Sequence, residues 1–247
     1  MKWPADLAQD IAGGSAPHPR RIVDLSYAIN DELPSWPGDP KSFEARTESS
    51  IEKDGYFARS FWMLEHYGTH MDAPAHFVAG APTVEAIPPE RLFGPAVVLD
   101  VRDAAASDPD YELAAESIAS WEASHGRIPQ GGIVLLRTGW AARWPDAARY
   151  CNADAAGTMH FPGFGVDAVK ILVERGVNGI GADTMSVDAG RSHDYPVHRL
   201  ALGAGLYQLE NLADLSALPE AGAFLIVAPI KLKDGSGAPC RVFGVLP

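Results

Sequence analysis

The chain is poor in cysteine, with two in 247 residues. Cys151 and Cys240 are too few for a disulfide framework, so the stapled secreted scaffolds are excluded. Long apolar runs are missing as well. No stretch reaches the about 18 apolar residues of a membrane helix, and no membrane partner is expected. Positive charge is scarce: 20 Lys and Arg face 32 Asp and Glu, for a net charge of −12. With no basic cluster, that balance argues against nucleic acid. No Gly-rich phosphate loop occurs, which disfavours nucleotides. The stretch from Met1 to Asp10 lacks the apolar core of a signal peptide, so a cytoplasmic location is expected. The remaining composition, 47% hydrophobic and 21% charged, is that of a globular protein able to bury its core in one domain.

Against this background one segment stands out: His66-Tyr-Gly-Thr-His70-Met-Asp72-Ala-Pro-Ala-His76. It holds three of the eight histidines, with an aspartate two residues after the second. A lone histidine is usually a surface or hydrogen-bonded core residue. Histidine and carboxylate together are ligands for divalent metals such as zinc and manganese, and this density reads as half of a metal site. His66 and His70 are four apart, as in a zinc-protease helix. Tyr67 stands where that motif needs glutamate, and Gly68, Thr69 and Pro74 disfavour a helix. The segment therefore reads as a strand end turning into a loop. Gly68 would permit close backbone approach, and Pro74 would fix the turn that presents His76.

The other ligands must come from elsewhere, and His198 and Glu210 are the best candidates. Glu210 follows an apolar run at an apparent strand end, where a buried carboxylate needs a partner such as a cation. An isolated glutamate is more often solvated or salt-bridged.

Residues 1–20 read as a loose N-terminal arm, and 21–247 as one domain. Strands are expected at Arg21–Ile29, Phe57–Glu65, Ala96–Val101, Ile133–Arg137, Gly179–Ala182, Leu206–Leu209, Phe224–Pro229 and Arg241–Leu246. Glu112–Ser124 reads as a helix with Leu113, Ile118 and Trp121 inward. A second helix, Val166–Arg175, ends at Gly176. The class is α/β, mixed and strand-rich. Periodicity does not give strand order.

These residues resemble the cyclase family of metal-dependent hydrolases, which includes kynurenine formamidases and isatin hydrolases. His66 to Phe77 is similar to the family's H-x-G-T-H-x-D-A-P-x-H-F signature. Further matches are Leu33 to Asp39, Phe161-Pro-Gly163, Gly181 to Asp188, and the His198–Glu210 pair with its twelve-residue spacing. The resemblance implies a swivelling β/β/α fold and a homodimer or homotetramer. It implies His66, His70 and Asp72 as primary ligands, with Asp72 able to bridge two metals, and His198 and Glu210 on the second. His76 would be a second-metal ligand, a general acid/base, or both. Isatin hydrolases tend to carry glutamine at the position of Glu210 with one manganese, and formamidases glutamate with two zincs. Glu210 therefore leans towards two cations. Trp36 matches an aromatic wall for the substrate ring, or is an ordinary packed tryptophan beside a Pro-Gly turn.

The implied chemistry is hydrolysis of a small amide, an aryl formamide such as N-formylkynurenine or a cyclic amide such as isatin. A divalent cation lowers the pKa of bound water and polarises the carbonyl. His76 would carry the proton to the leaving nitrogen. Lactone hydrolysis is a close variant, and a non-catalytic ligand-binding relative is the alternative from another class. Asp183 and Ser186 read as loop-holding polar residues, with Asp188 left open. His160 and Phe161 are candidate substrate contacts. His193, His18 and His125 read as loop, tail and surface residues. The aromatic-rich stretch 139–165 reads either as a shaper of the substrate pocket or as a surface excursion packed by its own aromatics.

Overall fold

The apolar runs of the sequence become the middle of a sheet. The computed structural model describes residues 21–39, 42–144 and 146–247. The expected arm, with His18, lies outside the described residues. The strands are β1 (Ile22–Asp24), β2 (Phe43–Ser49), β3 (Ala58–Met63), β4 (His70–Asp72), β5 (Phe93–Asp100), β6 (Glu112–Leu113), β7 (Ile133–Arg137), β8 (Gly163–Phe164), β9 (Gly179–Ala182), β10 (Tyr207–Glu210), β11 (Phe224–Pro229) and β12 (Gly237–Val245). The helices are α1 (Ile51–Asp54), α2 (Arg102–Ser107), α3 (Ala115–His125), α4 (Ala147–Cys151), α5 (Val166–Arg175) and α6 (Pro196–Gly203).

The main sheet runs β1-β12-β11-β5-β7-β9-β10-β4. Its centre, β5-β7-β9-β10, is parallel, and its flanks are antiparallel. The first residues of β12 also pair with β4, closing the sheet on itself. The chain is thus a single-domain mixed α/β protein, rich in strands. Among the described residues no helix is long and apolar enough to cross a membrane.

Strand alternation sorts the core into two clusters. Along β5, Ala96 and Val98 face the cluster around Met71, Leu209 and Leu225. Val97 and Leu99 face the opposite cluster, where Ile118 and Trp121 of α3 and Val169 and Leu172 of α5 pack. A third cluster, outside the sheet, gathers Trp140, Trp144, Tyr150, Met159 and Phe161 with Leu33, Tyr67 and Met185. Most of the stretch 139–165 that is apolar is packed there.

Several expectations need correction. Glu112–Leu113 pairs with β8 as a short parallel strand, and the helix begins at Ala115. Leu113 is fully buried as expected, but from a strand. Only Ile22–Asp24 of the first expected strand pairs, with β12. The expected strand Phe57–Glu65 contains β3, whereas its partner β2 and helix α6 were not read from the sequence.

Candidate metal centre

Two short strands build the floor of the site. In β4, His70 and Asp72 point to one face and Met71 to the other, where it joins the apolar cluster. In β10, Glu210 sits directly opposite His70 and Gln208 opposite Asp72. Cross-strand pairing therefore brings together residues 140 positions apart. His198 comes from α6, which packs against β10 and the Pro74–His76 turn.

The four groups interlock at short range. His70 Nε2 lies 3.3 Å from Asp72 Oδ1 and 3.5 Å from Glu210 Oε2. His198 Nε2 lies 3.4 Å from Asp72 Oδ2 and 3.2 Å from Glu210 Oε1. All four are buried. On the other side, His66 Nδ1 is 2.7 Å from Asp72 Oδ1 and its ring stacks on His76 at 3.9 Å. The ligand atoms form two groups that share Asp72: His66, Asp72 and His76; and His70, Asp72 and Glu210. His70 is within reach of both sides, 3.3 Å from the Asp72 Oδ1 that His66 also approaches and 3.5 Å from Glu210 Oε2.

The donor set fits divalent cations. Asp72 Oδ2 is buried without a hydrogen-bond partner, an expensive state that a cation relieves. Imidazole and carboxylate are the donors such ions take. Protons crowd the site for the same reason. Burial works against charge on His70, but Asp72 and then Glu210 outweigh it and raise its pKa to about 9. His198 is raised by Asp188, Asp72 and Glu210, again against burial. Asp72 is held well below its ordinary value by His66, His198 and His70 despite burial. His76 goes the other way. Burial pushes it down to about 4, with His66, His198 and His70 reinforcing the drop and Asp72 opposing it.

Each buried histidine is oriented from behind, which fixes the nitrogen it presents. His198 Nδ1 lies 2.6 Å from Asp188 Oδ2, and Asp188 also accepts from the N–H groups of Val197 and His198 in the first turn of α6. His70 Nδ1 lies 3.0 Å from the Gly68 carbonyl. Gly68 has φ of +64°, so it is a glycine because the turn is left-handed, and its freedom aims the carbonyl at His70. Asn211 donates to that same carbonyl and accepts from Tyr150. Pro74 opens the 3-10 turn Pro74–His76 as expected.

A cleft of about 420 Å³ opens over the site. It is lined by Trp36, Leu64, Phe77, Met185 and Tyr195 beside the histidines, with Asp39 and Glu65 at its edge. Tyr195 packs 6.1 Å from Trp36 and 5.7 Å from Phe77. It holds φ of +50°, a conformation that costs about 1–3 kcal/mol for such a residue.

The structure brings His66, His70, Asp72, His76, His198, Glu210 and Trp36 together. It does not bring His160 or Phe161 to the cleft. His160 lies 2.9 Å from Asp110, and Phe161 is fully buried in the aromatic cluster. No described residue of 139–165 lines the cleft. Asp183 accepts from the N–H and hydroxyl of Thr138, a loop-holding role, and Ser186 accepts from the N–H of Asp188. Asp188, Phe77 and Tyr195 were not chosen from the sequence. Asp188 was within reach, since it ends the Gly181 to Asp188 match and was left open.

Fold and site together define a metal-dependent hydrolase. Comparison with known proteins gives the family. The "Putative cyclase" family matches residues 23–189, and the chain belongs to it. An isatin hydrolase of Roseibium aggregatum is 36% identical, with 87% of this chain and 85% of that protein aligned. A kynurenine formamidase of Salinibacter ruber is 30% identical, covering 89% and 95%. Among solved structures, isatin hydrolase A from Labrenzia aggregata bound to benzyl benzoate superposes with a TM-score of 0.89 at 38% identity, covering 98% and 99%. An isatin hydrolase bound to the product analogue thioisatinate gives 0.88 at 33%, covering 98% and 97%. The chain is a metal-dependent amide hydrolase acting on a C–N bond.

Proposed function

We propose that the chain hydrolyses a neutral cyclic aryl amide of the isatin kind, opening the ring at its C–N bond. The observation that carries this is the lining of the cleft. Trp36, Phe77, Tyr195, Leu64 and Met185 offer apolar walls, and no Lys or Arg lines it among the described residues. Beyond the ligand set, its charged residues are Asp39 and Glu65. A neutral bicyclic ring enters without an unpaired charge. The amino-acid carboxylate of N-formylkynurenine meets two carboxylates and, among the described lining residues, no Lys or Arg, which is a penalty. The likeness to isatin hydrolases over nearly the whole chain supports the same reading.

A bound divalent cation, zinc or manganese, supplies an activated water and polarises the amide carbonyl. His66 and His70 would hold one cation and His198 and Glu210 a second, with Asp72 shared. The carboxylate of Glu210 favours the second charge. His76 is the catalytic residue. Its depressed pKa leaves the ring neutral near pH 7, able to take a proton and return it to the leaving nitrogen. Trp36 forms a wall for the ring. His160 and Phe161 have no contact role in this reading.

The closed, mixed sheet supports the family's swivelling β/β/α fold. Phe57, Phe61 and Trp62, exposed on or beside the β2–β3 hairpin, support a homodimer or homotetramer. Two free cysteines support the cytoplasm.

The test compares isatin with N-formylkynurenine on metal-loaded and chelated protein. Faster, metal-dependent turnover of isatin is expected. A higher kcat/KM for N-formylkynurenine overturns the ring assignment, and turnover indifferent to chelation overturns the metal site.

A further inference from the structure

We infer that Glu65 and Ser236 are positioning residues that lock His66 in one tautomer, protonated at Nε2, so that Nδ1 is its metal-binding nitrogen. Hydrogen-bond directions carry the argument. Glu65 Oε2 accepts from the backbone N–H of Ser236 at 2.9 Å and of Gly237 at 3.3 Å. The same oxygen lies 2.9 Å from the Ser236 hydroxyl. A carboxylate oxygen already accepting two N–H groups is an acceptor here too, so the hydroxyl donates its single proton to Glu65. That leaves only lone pairs on Ser236 Oγ to face His66 Nε2, 2.9 Å away. Nε2 therefore carries a hydrogen, which leaves Nδ1 and its lone pair as the nitrogen available to a metal.

That lone pair points at Asp72 Oδ1, 2.7 Å distant. At such a distance either a second ring proton or a metal ion lies between the two atoms, and a metal ion displaces that proton. Nδ1 and Oδ1 as neighbouring ligands of one ion satisfy the geometry. His70 and His198 use the opposite arrangement, with Nδ1 engaged behind and Nε2 facing the carboxylates. The three histidines thus present two different nitrogens.

The relay is anchored to the strand it serves. The Ser236 carbonyl accepts from the N–H of Ala73, the residue after Asp72. Gly237 pairs with Asp72 across β4–β12. A Cβ on Gly237 would collide with His66 Cε1, so the ring lies against bare backbone. Strand pairing thus seats Glu65, Ser236, His66 and Asp72 as one unit.

This inference rests on the metal reading and not on the substrate, so its readout is metal binding. Long-range proton–nitrogen NMR of zinc-loaded, 15N-histidine protein reports which nitrogen binds. The expected spectrum has one ligating histidine with zinc on Nδ1 and hydrogen on Nε2, absent from His66→Gln. Zinc affinity, by competition with a chromophoric chelator, should fall about 10–100-fold in Ser236→Ala and less in Glu65→Gln. Circular dichroism should be unchanged, and Ser236→Thr, which keeps the hydroxyl, should restore affinity. Zinc on Nε2 of His66, undiminished affinity in Ser236→Ala, or an equal loss in Ser236→Thr overturns the assignment. Should Ser236→Ala fail to fold, Glu65→Gln and the wild-type spectrum decide it alone. Wild-type protein that binds no zinc contradicts the metal reading itself, a different failure from a wrong nitrogen.

Discussion

The two flanks of the site differ in kind. On one, His70, His198 and Glu210 are buried in strand pairs and a helix turn, with side-chain exposures of 4%, 5% and 8%. On the other, His66 is 26% exposed and His76 faces the cleft from a 3-10 turn. The buried flank is held by regular structure and by Asp188, and its carboxylates draw positive charge to its histidines. The open flank has room for substrate and a ring whose pKa is depressed. The difference separates holding from reacting, with Asp72 belonging to both.

Breaking the shared residue should have the largest effect. Asp72→Ala is expected to lose more activity than the about 100-fold typical of an outer hydrogen-bond partner, with metal content down on both flanks. Elemental analysis beside turnover checks this. His76→Ala comes next: turnover should fall about 10²–10⁴-fold while at least one metal stays bound. Full activity in that variant would sink the division of labour. Asp188→Ala acts on the buried flank only. Metal affinity should drop about 10–100-fold through the freed His198 ring, with isatin KM little changed in protein saturated with metal. Trp36→Ala touches only the open side, and should raise KM by about tenfold or less with kcat nearly constant.

The smallest expected effect lies far from the site and acts as a control. Burial opposes ionisation of Asp100, but Arg102 and Arg137 hold its pKa at about 2, below the ordinary 3.8. A depressed folded-state pKa contributes stability above the unfolded value and loses it as pH falls through the folded one. Between about pH 4 and 2, then, about 1 kcal/mol should be lost, because solvent screens the pairing with the exposed Arg102. Asp100→Asn should flatten that part of a denaturation profile without altering metal binding at neutral pH.

The open flank was legible because its residues are close in sequence. His66, His70, Asp72 and His76 fall within eleven residues, and Pro74 marks the turn. On the buried flank, His198 and Glu210 were candidates only because the motif needs further ligands and were tied together by the resemblance, since Glu210 meets His70 by strand pairing and His198 arrives on α6, which periodicity does not encode. Helix α6 gave little local start signal beyond Pro196 at its first position: Tyr195 before it is left-handed, and its cap is Asp188, several residues upstream in a loop. Glu65 and Ser236 lie 171 positions apart and meet only because β12 returns to β4. His160 and Phe161 misled for a related reason. Their turn beside an aromatic-rich stretch suggested a pocket, but burial of apolar area drew those rings into a core of their own.

The most direct test of the account is a calorimetric titration of metal-stripped protein with zinc or manganese, run on wild type and Asp72→Ala. The account predicts tight binding of at least one ion per wild-type chain, and loss of that binding without the shared carboxylate. Binding equal in the two proteins, or none in the wild type, would contradict it.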